Sequence, residues 1–342
     1  MPAELENMFY ARDGGTPWHQ SGTPVDKLAT AEEAVAAAGL LRVVKRPMYV
    51  GDTQVDGWVC MVREDGVQLG VCSSERGLIQ PLELYHGVQP LVDAGKATYE
   101  TGGSLRGGKT IWAQLKLVID PFEVVPGDVI EPYLLATASY DRANHWRFVK
   151  TRVVCNNTMQ MALRETKREV DLDASDASTE SDPVYAVRFI NSPNVKDRIA
   201  QSQEILNIAV ADNKRTMEVC RGMAKVGLRN GSLKAFFERI IPDDDTPGAD
   251  NSRRERARAE LLTACEIGMG TEIKGVRGTL WGALNAVTEW VDHGRGSVGG
   301  RDPGMRSLPD PSQRLTNIFS GAGARIKNRA TKVAIELVGI SA

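Results

Sequence analysis

The segment that most constrains the fold is the run from Tyr133 to Leu163, because it has the pattern of two neighbouring strands and a short turn. The strands are predicted over residues 133–140 and 146–154, where β-branched and aromatic residues are frequent. Residues 141–144, Asp-Arg-Ala-Asn, have turn composition, since Asp and Asn bond their own backbone and tolerate a positive φ. This segment therefore predicts a hairpin in the middle of the chain.

A helix is predicted directly after this hairpin. Asn156, Asn157 and Thr158 have side chains that can cap the N-terminus of a helix. Met159 and Leu163 stand four residues apart, which would put them on one helical face.

The rest of the N-terminal half is predicted to contain many strands and few helices. One helix is expected from Thr30 or Asp26 to Ala38, and a second from Pro81 to Ala94, which Pro90 should kink or shorten. Further strands are expected over residues 41–50, 55–63, 67–72, 97–101, 110–119 and 184–190.

From residue 192 onward the apolar residues recur with a helical period. Polar or Gly/Arg/Pro-rich loops are predicted near residues 171–182 and 294–311. The predicted fold class is α+β, with a β-rich domain of antiparallel hairpins and a few helices at residues 1–191 and an all-helical domain at residues 192–342. Helices are expected over residues 193–226, 232–241, 252–267, 276–293, 311–319 and 324–338.

Charge and hydropathy exclude some classes of protein. The 342 residues include 42 Lys and Arg against 44 Asp and Glu, which argues against a wholly basic nucleic-acid binder but leaves room for a local basic patch. No apolar run approaches the ~18 residues of a membrane span, and the N-terminus has no secretory pattern. The five cysteines are widely spaced. We therefore expect reduced thiols and a location in the cytoplasm of a host cell, away from membranes.

Residues 103–110, Gly-Ser-Leu-Arg-Gly-Gly-Lys-Thr, match the phosphate-binding pattern G-x-x-x-x-G-K-[ST]. That mechanism requires a helix after the loop, whose N-terminal amides point at the phosphates. Residues 111–117 instead alternate with the two-residue period of a strand. The motif is therefore predicted to be the glycine-rich tip of a hairpin, although a tip that carries Arg106 and Lys109 could still touch a phosphate.

No metal, cofactor or catalytic residue is predicted. The histidines, His19, His86, His145 and His293, do not have metal-ligand spacing among themselves or with cysteines. The sequence also lacks the G-x-S-x-G pattern of serine hydrolases. An enzymatic activity stays uncertain, and the sequence favours none.

Cationic and aromatic residues cluster around the central turn. Aromatic rings stack on unpaired bases and Arg or Lys binds phosphate, so this composition is typical of a surface for single-stranded nucleic acid. In the alternative interpretation, Trp146 and Phe148 belong to the core and the cations form a solvated face. Both interpretations stay open. The candidate nucleic-acid-binding residues are Arg106, Lys109, Arg142, His145, Trp146, Arg147, Lys150 and Arg152.

Two more basic clusters lie in the helical half. The first, at a helix start, is interspersed with acidic residues, which is typical of a solvated face or a subunit contact. The second lies in the last helix. The members are Arg253, Arg254, Arg256 and Arg258 in the first cluster, and Arg325, Lys327, Arg329 and Lys332 in the second.

Four stretches are distinctive: residues 151–158, Thr-Arg-Val-Val-Cys-Asn-Asn-Thr; Pro17-Trp18-His19 with the following Gly22; residues 107–112; and residues 281–293. In them the chain resembles the phage/plasmid-like protein family of unknown function, found in bacteriophages, plasmids and their actinobacterial hosts. The similarity extends over nearly the whole chain. It implies a role in the life of a mobile element and transfers no catalytic residue, because the family has no settled activity.

Three functional hypotheses follow. The first is a non-enzymatic phage protein of DNA metabolism that binds single-stranded DNA as a homo-oligomer and anneals it. It rests on an architectural analogy with phage single-strand annealing proteins, in which basic hairpins of a curved sheet are backed by helices. The second is an enzyme acting on nucleotides or nucleic acid, through Lys109 or a His/Asp set assembled by the fold. The third is a structural or host-interaction protein without a nucleic-acid ligand, which the near-neutral charge slightly favours.

Overall fold

The computed structural model describes residues 5–11, 22–140, 145–152, 157–159, 195–292 and 321–339. The predicted α+β class is confirmed, with a β-rich N-terminal half and a helical C-terminal half. The predicted loops near 171–182 and 294–311, the strand at 184–190 and the helix at 311–319 lie outside the described residues. The strands are β1 Leu5–Ala11, β2 Thr23–Val25, β3 Val43–Val50, β4 Thr53–Arg63, β5 Gln68–Ser73, β6 Ala97–Leu105, β7 Thr110–Leu117, β8 Phe122–Glu123, β9 Val129–Ser139, β10 His145–Arg152 and β11 Asn157–Met159. The helices are α1 Ala31–Ala37, α2 Pro81–Asp93, α3 Val195–Lys225, α4 Asn230–Ile240, α5 Ser252–Ile267, α6 Leu280–Asp292 and α7 Gly321–Val338.

A large sheet forms the frame of the N-terminal half, in the strand order β11-β10-β9-β7-β6-β1-β2, with β8 paired to the start of β9. Its pairs are antiparallel except β1 with β2. Helices α1 and α2 contribute to the apolar core of this sheet, in which Tyr85 of α2 packs with Phe9, Leu115 and Leu134. The predicted apolar face of β7 is confirmed, since alternate residues from Ile111 to Leu117 are buried there.

Strand β6 extends four residues beyond the predicted end at Thr101, because two glycines allow close packing within the sheet. A Cβ atom on Gly102 would lie 2.2 Å from the Tyr85 hydroxyl oxygen. A Cβ atom on Gly103 would lie 2.2 Å from the carbonyl oxygen of Asn7 and 2.7 Å from the ring of Trp112. The first glycine of the phosphate-binding pattern thus has a packing role in a strand.

A second sheet has three antiparallel strands in the order β3-β4-β5. One of its sides is buried and contributes Val43, Met61, Leu69 and Cys72 to the same core as α1 and α2. The predicted Asp-Gly turn between β4 and β5 is present, with Gly66 at a φ of 92°.

The core of the helical half surrounds α6, which has both apolar and polar side chains buried along its length. This core also takes in Phe122, Val124 and Ile130 from β8, its following loop and β9. A buried hydrogen bond of 2.7 Å, from Nε1 of Trp281 to Oδ2 of Asp128, joins the two halves. Among the described residues, no helix is long and apolar enough to cross a membrane.

Two members of the basic clusters have structural partners, and the prediction of a solvated face is wrong for Arg258 of the first cluster, which is buried. Lys327 of α7 lies 2.7 Å from Asp292 of α6, and their side chains are 2% and 1% exposed. Arg258 of α5 donates to the Ile241 carbonyl at 2.9 Å and to Asp243 at 2.7 Å. The acidic partners come from other segments, so the neighbouring sequence does not reveal them.

Two further local predictions are wrong. The segment at Asn157–Met159 is a strand, because it pairs with the end of β10 from Lys150 to Arg152 and thereby overrides the capping composition. Helix α2 has nearly the predicted bounds, but the early end at Pro90 is wrong: the helix continues to Asp93, where Leu91 is buried in the core and the Ala94 amide donates to the Pro90 carbonyl.

Candidate nucleic-acid interface

Two hairpins of the large sheet end side by side. Thr110 at the start of β7 pairs with Ser139 at the end of β9, and Thr137 of β9 pairs with His145 at the start of β10. The Tyr140 amide donates to the Lys109 carbonyl at 2.9 Å. We call this place the hairpin end; it comprises the turn at residues 106–109 together with Ser139, Tyr140 and His145.

The turn at the hairpin end has an unusual backbone. Arg106, Gly107 and Gly108 have φ values of 58°, 66° and 85°, all in the left-handed region. Glycine adopts this region readily, whereas a residue with a Cβ atom pays roughly 1–2 kcal/mol. Among the described residues, Arg106 is the only non-glycine residue with a φ in this region. An arginine is thus held at the tip of this turn at an energetic cost.

Arg63 at the end of β4 packs against this turn. Its guanidinium lies 2.6 Å from Glu6 and forms a bidentate pair with Asp65, at 2.6 and 2.8 Å. A Cβ atom on Gly108 would lie 2.7 Å from Nη1 of Arg63, so a glycine is needed here as well. The hydrogen bonds that Arg63 donates to Asp65 and Glu6 raise the pKa of Arg63, and the bond from Arg63 lowers the pKa of Asp65. Two carboxylates beside the turn are therefore already paired with a cation.

The loop after β5 brings another cation to the hairpin end. Arg76 donates to the Ser139 carbonyl at 3.2 Å, and the Tyr140 hydroxyl donates to the Ile79 carbonyl at 3.2 Å. Burial, and to a lesser degree the negative charge of Glu83, raises the pKa of the Tyr140 hydroxyl above its ordinary value. Cations from two separate segments thus lie at one end of the sheet: Arg76 from the loop after β5, and Arg106 and Lys109 from the turn before β7.

The structure brings together some of the candidate residues and separates others. Arg106, Lys109 and His145 belong to the hairpin end, and Arg142 lies outside the described residues. Lys150 pairs with Pro132 and Arg152 with Ile130, towards the other end of β10. At ~3.4 Å per residue they are about 17 and 24 Å from His145 along the strand.

The register also separates Trp146 from Arg147. Trp146 pairs with Ala136, which is fully buried in the core beside α1 and α2, whereas Arg147 pairs with Leu135 of a smaller cluster. Paired residues share a side of an antiparallel sheet, so positions 146 and 147 belong to opposite faces.

Sequence reasoning missed Arg63 and Arg76 as neighbours of the turn. Neither lies in a basic run, and both are brought there by the pairing of β4 with β5 and by the loop that follows. A signal was present for Arg63 only: its bidentate partner, Asp65, stands two residues further along the chain.

The predicted hairpin tip at the glycine-rich motif is confirmed, since the turn leads into β7 and not into a helix. The described residues contain no cluster of His, Cys, Asp and Glu suited to a metal ion. His86 instead lies 2.9 Å from Glu32, at an exposed contact between α2 and α1.

The first prediction concerns this motif. We expect neither the wild-type protein nor a Lys109→Ala variant to bind Mg-ATP in isothermal titration calorimetry, because the glycine-rich turn leads into strand β7 and not into a helix whose N-terminal amides could bind the phosphates. Micromolar binding by the wild type that Lys109→Ala abolishes would contradict the hairpin interpretation.

Comparison with known proteins gives one match. A family model described as "Domain of unknown function (DUF932)" matches residues 68–328, from β5 into α7 and including the hairpin end. No curated protein and no solved structure matches the chain.

Proposed function

This chain belongs to the family described as "Domain of unknown function (DUF932)", and from that starting point we propose that it binds single-stranded DNA at the hairpin end of its large sheet. The biological setting that we propose is the DNA metabolism of a phage or plasmid. Annealing of complementary strands by a homo-oligomer would be the corresponding activity.

The observation that carries this proposal is the convergence of cations at the hairpin end. The bond from the Tyr140 amide to the Lys109 carbonyl joins the two hairpins, and Arg76 is bound to the adjoining Ser139. Clustered Arg and Lys side chains bind phosphates of the nucleic-acid backbone, largely without regard to sequence. Because the carboxylates of Glu6 and Asp65 are paired with Arg63, they oppose the approach of an anionic strand less than free carboxylates would.

The second prediction tests this function with a matched pair of variants. Lys109→Ala should weaken binding of a labelled single-stranded oligonucleotide and reduce the salt slope by about 0.7 per lost phosphate contact. Lys150→Ala removes the same charge near the other end of β10 and should change neither quantity. Fluorescence anisotropy over a salt series, with a duplex of the same sequence in parallel, measures both.

Equal losses for Lys109→Ala and Lys150→Ala would contradict the location of the interface. A wild-type protein that binds no oligonucleotide at low salt would contradict the function itself, and the host-interaction hypothesis would then take precedence.

A further inference from the structure

The outward side of the small sheet carries an exposed tryptophan. Cys60 pairs with both Arg46 and Val71, while Trp58 pairs with Ser73. Since alternate residues of a strand share a face, these five residues lie together on the side of the sheet opposite the buried Met61 and Cys72. We call this set the outer face.

The outer face exposes two large apolar side chains to solvent. Trp58 is 51% exposed and Val71 is 50% exposed, whereas Trp112, Trp281 and Trp290 are all buried. An indole ring has a large apolar area. Adjoining apolar side chains that stay exposed are typical of a surface that binds a ligand or a partner. The burial of these three tryptophans shows that the fold can enclose indole rings in its cores.

The charge on the outer face favours an anionic partner with aromatic groups. Of the five residues of the outer face, Arg46 is the charged one. It lies diagonally across from Trp58 on the neighbouring strand. A cation beside an exposed indole matches the two parts of an unpaired nucleotide, because bases stack on aromatic rings and phosphates bind arginine.

The outer face also continues into the hairpin end. The Ser74 amide donates to the Gly57 carbonyl at 2.9 Å, and Lys45 donates to the Ser74 carbonyl at 2.7 Å. Two residues further along the same loop, Arg76 reaches Ser139. The loop thus connects the strand end that carries Trp58 with the cations of the hairpin end.

We propose that Trp58 is the residue on which a base of single-stranded DNA stacks, with Arg46 binding a neighbouring phosphate. This inference rests on the proposed function and names its aromatic contact. The stacking role that the sequence suggested for Trp146 would then belong to Trp58, whose ring is accessible.

The test uses the intrinsic fluorescence of the full chain and a single-stranded oligothymidylate as probe. Addition of the oligonucleotide should quench the wild-type emission and protect it from acrylamide, and Trp58→Phe should lose most of this change. Trp58→Ala should weaken binding by about ten- to a hundred-fold with little change in the salt slope. Trp58→Phe should retain most of the affinity, because its ring can still stack.

Three further variants complete the test: one control, one replacement and one test of the phosphate contact. Tyr49→Ala removes another exposed aromatic residue, beyond the irregularity between β3 and β4, and should leave affinity unchanged. Trp58→Thr, with a residue that favours strands, replaces Trp58→Ala if that variant does not fold. Arg46→Gln should lower both affinity and salt slope.

The failure of this inference differs from the failure of the proposed function. If a folded Trp58→Ala protein binds oligothymidylate as tightly as the wild type does, the stacking role of Trp58 is overturned. The proposal that DNA binds at the hairpin end is not affected by that result. If Trp58→Ala instead changes the oligomeric state in analytical ultracentrifugation and not the affinity, a second copy covers the outer face, and the inference is again overturned. Absence of any binding by the wild type removes both proposals.

Discussion

Replacement of Lys327 by methionine should lower the free energy of unfolding by about 3–5 kcal/mol, because it leaves the carboxylate of Asp292 buried without this cation. The two charged groups lie 2.7 Å apart between α6 and α7, where almost no side-chain surface is exposed. Desolvation of an ion costs several kcal/mol, and only a close opposite charge with further hydrogen bonds offsets it. Urea denaturation followed by circular dichroism measures the loss.

Two control variants separate burial from charge. Arg239→Ala breaks the ion pair with Glu336, in which both side chains are about half exposed, and should cost no more than about 1 kcal/mol. The double variant Lys327→Met with Asp292→Leu should recover most of the stability, since it removes both charges of the buried pair. A loss below ~1 kcal/mol for Lys327→Met alone would show that the pair is not enclosed by the helices.

Replacement of Gly103 by alanine should destabilise the protein by about 1–3 kcal/mol or more, since the added methyl group has no space in the sheet. It would lie 2.2 Å from the backbone oxygen of Asn7 on β1, and a backbone atom cannot move without shifting the strand pair. Thermal unfolding followed by circular dichroism would register the loss as a lower Tm.

Gly77 provides the matched control for this substitution. It lies in the loop after β5, its φ is not in the left-handed region, and a Cβ atom there would meet nothing within 4 Å. Gly77→Ala should therefore be neutral or slightly stabilising, by up to ~1 kcal/mol, through a less flexible unfolded chain. If Gly103→Ala were as stable as Gly77→Ala, the close approach of β1 and β6 would be disproved.

The sequence predicts those parts of the fold that depend on neighbouring residues. The alternation at residues 111–117 identifies β7, and Asp65-Gly66 identifies the turn before β5. Thr30 and Glu33 form a capping box at the start of α1, close to the predicted helix start. In each case the deciding interaction spans only a few residues.

The sequence does not predict features whose partners are distant along the chain. Residues 157–159 have cap composition, yet pairing with β10 makes them a strand. Lys327 looks like a member of a basic surface cluster until α6 places Asp292 beside it. At the candidate site, one motif identifies Arg106 and Lys109, but the position of Arg76 beside them depends on the register of β6, β7 and β9.

The hydrogen bond between Trp281 and Asp128 bears on the order in which the chain can fold during synthesis. Its partners are 153 residues apart, and the surrounding core needs Phe122 and Ile130 as well as α6. When the whole β-rich half has left the ribosome, the apolar side chains of Phe122 and Ile130 are therefore still exposed. The helix α6, which packs against this core, has not yet been translated at that point. Chains with such late contacts fold slowly and expose aggregation-prone surface in the meantime. The surface that includes Phe122 and Ile130 therefore lacks its helical partners until α6 has emerged from the ribosome.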